Sequence, residues 1–111
     1  MEFKKIPSKY QVGGQDVEVR MVDRCDDNSM GMCVLYGGYI EIAEKVNKDE
    51  VQGESNKVNT FYHELTHSIL DTMGEKELSQ NEKFVCSFSS FLTEAMKNAF
   101  FMEEEKLLEK N

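Results

Sequence analysis

The sequence predicts an α+β domain: a short antiparallel sheet of about three strands packed on a helix that carries the motif H-E-x-x-H, followed by a second long helix. Two observations predict this class. Residues 1–54 hold most of the glycines and the only proline, with short apolar runs between turn-forming residues. Residues 55–111 contain no proline and one glycine, and their apolar residues recur at helical spacing.

Length and charge narrow the protein class. The 111 residues fit one domain, which we assign to residues 1–111. The net charge of −8 disfavours nucleic-acid binding, because an acidic surface repels phosphate backbones. No apolar run is long enough to predict a membrane span, and the first residues lack the apolar stretch of a signal peptide. With three cysteines, which cannot all pair, we expect reduced thiols and a cytoplasmic protein.

The strand predictions rest on alternation and on turn residues. Apolar and polar side chains largely alternate over residues 17–22, which is typical of a half-buried strand, and residues 26–29 form a turn signal. Residues 32–36 and 39–43 are strand-like runs on either side of Gly37-Gly38. Two glycines between two such runs predict a hairpin.

Two helices are predicted in the second half. The first begins with Ser55 or Asn56 as its cap and ends before Gly74. Its apolar stripe is Val58, Phe61, Tyr62, Leu65 and Ile69. The second helix starts near Ser79 and has its own apolar stripe, which consists of Phe84, Phe88, Phe91, Leu92, Ala95, Met96 and Ala99.

The motif His63-Glu64-Leu65-Thr66-His67 uses both histidines of the chain and lies inside the first predicted helix. Residues four apart on a helix are neighbours, so the two imidazoles can bind one Zn²⁺ ion, on the face away from the apolar stripe. Glu64 is turned about 100° away and can act as general base on a zinc-bound water. The phenols available to stabilise an oxyanion are those of Tyr36, Tyr39 and Tyr62.

A catalytic zinc site needs a third protein ligand, and the chain has no third histidine. Glu82 is the preferred candidate, because the turn at Gly74 would bring the second helix back across the first. The alternative is that Glu82 belongs to a capping box with Ser79, in which it bonds only the backbone N–H of Ser79.

Other residues compete for roles at this site. Glu75 and Glu77, on the connecting segment, are alternative third ligands, and Cys25 or Cys33 is a less favoured one. Asp71 lies four residues after the motif, and we expect it to orient an imidazole N–H.

With these residues, the sequence resembles the small zincin-like metallopeptidases of gluzincin type found in phages and mobile elements, related to the repressor-cleaving metallo-endopeptidases. The resemblance rests on His63-Glu64-x-x-His67 and on the segment 82–85 that opens the next helix, and it covers roughly residues 30–95. It implies a zinc-dependent peptidase with Glu82 as third ligand. It also implies that a protein or peptide substrate binds along an edge strand, for which 39–43 is the candidate. The repressor-binding helix-turn-helix of that family has no counterpart here.

Two other functions are open. The chain could be a non-catalytic zinc-binding module, an inhibitor or adaptor of a mobile element. It could also be a metal-free interaction protein whose Phe-rich second helix faces a partner. We expect Phe84, Phe88 and Phe91 to pack in the core, and residues 100–102 to form a homodimer contact through the C-terminal helix.

Overall fold

The computed structural model describes residues 6–100 and 102, and within them the predicted α+β class is confirmed. Four strands form one sheet: β1 (Lys9–Val12), β2 (Gln15–Val22), β3 (Gly31–Val34) and β4 (Tyr39–Ala43). Three helices follow: α1 (Glu54–Met73), the short α2 (Lys76–Ser79) and α3 (Glu82–Lys97).

The sheet is mixed, with strand order β1-β2-β4-β3. β1 pairs antiparallel with β2, and β3 pairs antiparallel with β4, but β2 and β4 are parallel neighbours. The prediction of about three antiparallel strands is therefore wrong in number and in direction. The reason is that β3 takes the outer edge of the sheet, so that the chain returns into β4 alongside β2.

Each antiparallel pair has a glycine pair in its connection. Gly13-Gly14 forms a two-residue turn with φ of 58° and 81°, and it places Val12 opposite Gln15. The hairpin predicted at Gly37-Gly38 is confirmed as the β3–β4 pair, but its connection is longer, with a 3₁₀ turn at Leu35–Gly37. The strand β1, which the sequence pattern did not predict, thus has the tighter turn.

The hydrophobic core lies between the sheet and α1. Val17, Ile40 and Ile42 of the sheet are fully buried and form one cluster with Phe61 of α1. Ile69, expected in the same apolar stripe as Phe61, is instead 36% exposed, because the stripe drifts around the helix beyond the edge of the sheet. The core therefore anchors the middle of α1, which is the part that carries the H-E-x-x-H motif.

Helix α3 packs against α1 through small residues. Its buried side chains are Val85, Ser89 and Thr93, four residues apart along one face. The hydroxyls of Ser89 and Thr93 bond to carbonyls of their own helix, which permits their burial. The expected burial of Phe88 and Phe91 is wrong, since these side chains are 47% and 70% exposed on the outer part of α3.

Helix α1 begins at Glu54, two or three residues earlier than expected, and it ends where predicted. Gly53 occupies the N-cap position, not Ser55 or Asn56. The amide of Asn56 instead donates to the buried side chain of Gln52 at 2.8 Å, so it is used in a tertiary contact. The C-cap is Gly74, as predicted.

The end of the described chain bears on the predicted dimer contact. Phe84 is half-buried and stacks on Phe88, with ring centroids 5.7 Å apart. Phe100 is fully exposed and Met102 is 47% exposed, whereas Phe101 lies outside the described residues.

Among the helices of residues 6–100 and 102, none combines the length and apolar character needed to cross a bilayer.

Candidate metal centre

Helix α1 presents both imidazoles of the motif to one cleft. The rings of His63 and His67 lie one helical turn apart with centroids at 5.0 Å, and their side chains are only 21% and 17% exposed. The cleft has a volume of about 360 Å³. Its lining residues are Asp27, Ser29, Gly31, Cys33, His63, Glu64, His67, Asp71 and Glu82.

Glu82, at the first turn of α3, faces both imidazoles. Its Oε2 lies 3.6 Å from Nε2 of His63, and its Oε1 lies 3.6 Å from Nε2 of His67. Nitrogen and oxygen ligands of tetrahedral zinc, each about 2.0–2.2 Å from the ion, lie roughly 3.3–3.5 Å from one another. Each of the two distances from Glu82 to an imidazole is close to this spacing, although a different carboxylate oxygen faces each histidine.

The capping box that competed for Glu82 does not form. Asn81 is the N-cap of α3, and its side-chain oxygen accepts the backbone N–H of Phe84 at 3.1 Å. Ser79 is the last residue of the preceding helix α2, and its hydroxyl contacts the imidazole of His67. Glu82 is therefore free of a capping role, and its carboxylate can face the histidines.

Ser79 orients one of the imidazoles. Its buried hydroxyl lies 3.0 Å from Nδ1 of His67, which leaves Nε2 of that ring directed at Glu82. We expected Asp71 to provide such a contact, but Asp71 lines the cleft and makes no hydrogen bond to either histidine within the described residues. We did not predict the contact of Ser79 with His67 from the sequence, because Ser79, three residues before Glu82, fits the N-cap position of a capping box.

Glu64 lies beside the converging ligands and is 6% exposed. Burial raises the pKa of Glu64 to about 8, and the carboxylates of Glu82 and Asp27 act in the same direction. Its carboxylate opens onto the cleft and accepts no hydrogen bond from a described residue. A cation held by the neighbouring ligands would favour its ionised form.

The edge strand approaches α1 closely at this carboxylate. A side chain at Gly31 would place its Cβ 2.6 Å from Cγ2 of Thr60 and 2.9 Å from Oε2 of Glu64. Both distances are shorter than van der Waals contact, so only glycine lets β3 pass here. Gly31 thus sets the wall of the cleft next to Glu64.

The lowered pKa of His63 favours the form of this histidine that binds a metal. Burial and the adjacent His67 lower the pKa of His63, and Glu82 partly opposes this. The neutral imidazole, whose ring nitrogen has a free lone pair, is the form that binds a metal.

Cys86 is a further donor group that sequence reasoning did not select. Its Sγ lies 3.9 Å from Nδ1 of His63 and 3.9 Å from Oε2 of Glu82. His63, Glu82 and Cys86 thus form a group able to hold a metal ion, with ligand atoms within 4.8 Å of one another. The signal was available, because Glu82 and Cys86 are four apart on a predicted helix and must share a face.

The other two thiols are less suited to bind a metal. Burial raises the pKa of all three thiols, with Glu82 adding to the rise at Cys86, and the pKa reaches about 11 for Cys25 and about 12 for Cys33, which disfavours their thiolate forms. Cys33 lines the cleft across from the histidines, and Cys25 is 2% exposed.

The remaining predicted site residues lie elsewhere. Glu75 and Glu77 do not line the cleft, and Glu75 precedes α2 as its N-cap residue. Tyr36 is 97% exposed, the ring of Tyr39 lies 3.8 Å under the guanidinium of Arg20, and Tyr62 packs on Phe61. None of the three phenols borders the cleft of the histidines.

Comparison of the chain with models of known protein families, with curated proteins and with solved structures gave no match.

Proposed function

We propose that this protein is a zinc-dependent peptidase in which Glu64 acts as the general base. The observation that carries the proposal is the position of Glu64: its side chain is 6% exposed, and its carboxylate opens onto the cleft that His63, His67 and Glu82 also line. Burial raises the pKa of Glu64 to about 8, which suits a group that takes up and releases a proton, and a purely structural metal site has no use for such a group.

The donor set fits zinc. His63, His67 and Glu82 would provide two nitrogen ligands and one oxygen ligand, which is the composition of an open catalytic site. Zinc bound there would supply a Lewis acid for the scissile carbonyl and a water of lowered pKa. The contact of Ser79 with Nδ1 of His67 leaves Nε2 of that ring facing Glu82 and would orient it as a ligand.

Glu64 moves the proton in this reaction. Its carboxylate takes a proton from the attacking water as the carbon–oxygen bond forms, and it then delivers that proton to the leaving amine nitrogen. Its side chain packs closely against Gly31, and its carboxylate opens onto the cleft. The acid and base roles therefore fall on one side chain.

A protein or peptide substrate would bind along β3. Strand 39–43, our candidate edge strand, is β4, and it lies inside the sheet between β2 and β3. The edge strand is β3, which borders the cleft through Gly31 and Cys33. An extended peptide added to this edge would pass the histidines with its backbone paired to β3.

The proposal includes the resemblance stated above: a minimal zincin-like domain of phage or mobile-element type, with α1 as the active-site helix. It also includes a cytoplasmic location, which is supported by the three free thiols Cys25, Cys33 and Cys86.

Glu64→Gln tests this function, with Glu77→Gln as the matched control outside the cleft. We expect wild type and both variants to bind equimolar zinc. Cleavage of an unfolded protein and of a peptide library, followed by mass spectrometry, should fall by about 10²–10⁴-fold in Glu64→Gln only. Equal cleavage by wild type and Glu64→Gln would remove Glu64 from the reaction.

The second candidate function is a zinc-binding interaction module without catalysis. The observation that favours it is Cys86, a donor close enough to His63 and Glu82 to complete a closed site. A protein that holds zinc but cleaves nothing in the library, both as wild type and as Cys86→Ser, would support this function.

A further inference from the structure

We propose that the Cys86 thiolate is a fourth protein ligand of the metal in the resting protein, and that it holds the position the attacking water must take. This inference rests on the metal site of the proposed function. It makes the resting enzyme latent, with activity dependent on the state of one thiol.

The position of Cys86 follows from helix geometry. Cys86 comes one turn after Glu82 on α3, so both side chains face the same neighbour on α1. Sγ of Cys86 lies 3.9 Å from Oε2 of Glu82, the oxygen that faces Nε2 of His63, and 3.9 Å from Nδ1, the other ring nitrogen of His63. In a tetrahedral zinc site, sulfur at about 2.3 Å and oxygen at about 2.0 Å lie roughly 3.5 Å apart. The observed 3.9 Å between Sγ and Oε2 therefore needs only a small shift.

An independent observation places the thiol next to the reacting position. A cavity of about 270 Å³ adjoining the cleft is lined by both Glu64 and Cys86, together with His63. Glu64 is buried and opens into this space without a protein donor among the described residues. His63 and Glu64 line both the cavity and the cleft, whereas Cys86 lines only the cavity. In this proposal the thiol and the water compete for the coordination position on the cavity side of His63, next to Glu64.

The chemistry of the thiol is consistent with a reversible block. A cysteine binds zinc as the thiolate, so ligation by Cys86 releases its proton to solvent and forms a sulfur–metal bond. Two imidazoles, one carboxylate and one thiolate complete four-coordination, which leaves no position for water. Cys86 is exposed at the protein surface, so a thiol reagent can reach it whenever it leaves the metal.

Cobalt(II) substitution tests the ligand directly. Cobalt bound to the wild-type protein should give a thiolate-to-cobalt charge-transfer band in the near ultraviolet. The band should be lost in Cys86→Ser and kept in Cys33→Ser, the matched control, whose thiol lies across the cleft. Absence of the band in the wild type, or its persistence in Cys86→Ser, would overturn the proposal.

A second measurement needs no variant. Iodoacetamide forms a carbon–sulfur bond with a free thiolate and releases iodide. With zinc at 100 times its dissociation constant, alkylation of Cys86 should slow on the order of 100-fold, because only the small metal-free fraction reacts. Addition of a chelator should restore the rate. An alkylation rate at Cys86 that does not respond to zinc would contradict the proposal, whatever the behaviour of the buried Cys25.

The test separates this inference from the proposed function. A charge-transfer band that depends on Cys86, in a protein without peptidase activity in wild type or Cys86→Ser, would sustain the ligand and reject the peptidase. Peptidase activity that depends on Glu64, in a cobalt protein without the band, would sustain the peptidase and reject Cys86 as a ligand. If both proposals hold, Cys86→Ser hydrolyses the peptide library faster than the wild type, since its fourth position is open.

Discussion

Helices α1 and α3 supply the candidate site together, but different surfaces hold them in the fold. α1 contributes Phe61 to the main core cluster and packs against the sheet. α3 packs on α1 through Val85, Ser89 and Thr93, and its large aromatic side chains face outward. The position of α1 thus depends on apolar burial, whereas the position of α3 depends on close packing of small residues.

This difference divides the site into two parts. His63, Glu64 and His67 stand on the helix that the sheet fixes, so their arrangement does not depend on a metal. Glu82 and Cys86 stand on the helix with the smaller apolar contact. We expect substitutions in the two helices to separate folding from metal binding.

The largest effect is expected from Phe61→Ala. The side chain is 5% exposed and makes edge-to-face contacts with Tyr10 and Tyr62 at centroid distances of 5.9 and 5.2 Å. Its truncation should lower the free energy of unfolding by about 3–5 kcal/mol, measured by urea denaturation of the metal-free protein. A loss below 1 kcal/mol would show that the sheet does not fix α1.

The second-largest effect is expected from Glu82→Ala, and it should appear in the zinc affinity and not in the free energy of unfolding. Glu82 is exposed at 65% of its side-chain area and Asn81 provides the cap, so unfolding of the metal-free protein should change by less than about 0.5 kcal/mol. Zinc affinity, measured by competition with a chelating dye, should fall by more than about 100-fold, since loss of a ligand exceeds loss of an orienting residue. Glu75→Ala is the control, and a fall in that variant with unchanged affinity in Glu82→Ala would move the ligand to the connecting segment.

Ser79→Ala should have a smaller effect on the same quantity. Loss of the bond to Nδ1 of His67 frees that ring, and we expect zinc affinity to fall by about 10–100-fold. Isothermal titration of zinc into wild type and variant measures the change. An unchanged affinity would mean that the packing of α1 alone orients His67.

Phe91→Ala should have the smallest effect on folding. The side chain is 70% exposed, so the free energy of unfolding should change by no more than about 0.5 kcal/mol, in contrast to the same substitution at Phe61. The variant also tests the predicted homodimer, which sedimentation of both proteins over a range of concentrations would reveal. A wild-type dimer that Phe91→Ala dissociates would extend the expected contact from residues 100–102 along α3.

The sequence could predict the features that depend on local spacing. His63 and His67 share a face because they are four apart, and Gly74 ends α1 because the apolar pattern stops there. The hairpin of β3 and β4 followed from its glycine pair, although its connection is longer than two residues. The convergence of Glu82 on the histidines was a prediction from the turn at Gly74, and the distances agree with it.

The features that depend on contacts between distant segments could not be predicted from local spacing. The parallel pairing of β2 with β4 joins segments separated by β3, and alternation along a strand does not identify its neighbour. Ser79-x-x-Glu82 and Asn81-x-x-Phe84 both suit a helix start, and the contact of Ser79 with His67 decides between them. Phe91 faces outward because Ser89 and Thr93 occupy the side of α3 that packs against α1. The apolar pattern of the sequence does not show that small polar residues take this contact.

The small-residue contact between α1 and α3 would give a bound metal a mechanical role. An ion held by His67 and Glu82 would join the two helices between residues fifteen positions apart in sequence, as a covalent cross-link would. It would do so beside a contact to which α3 contributes one buried aliphatic side chain, Val85. Binding energy is then also folding energy, so the melting temperature should rise with zinc concentration. A chain of 111 residues can in this way hold its second long helix in place without a large second core.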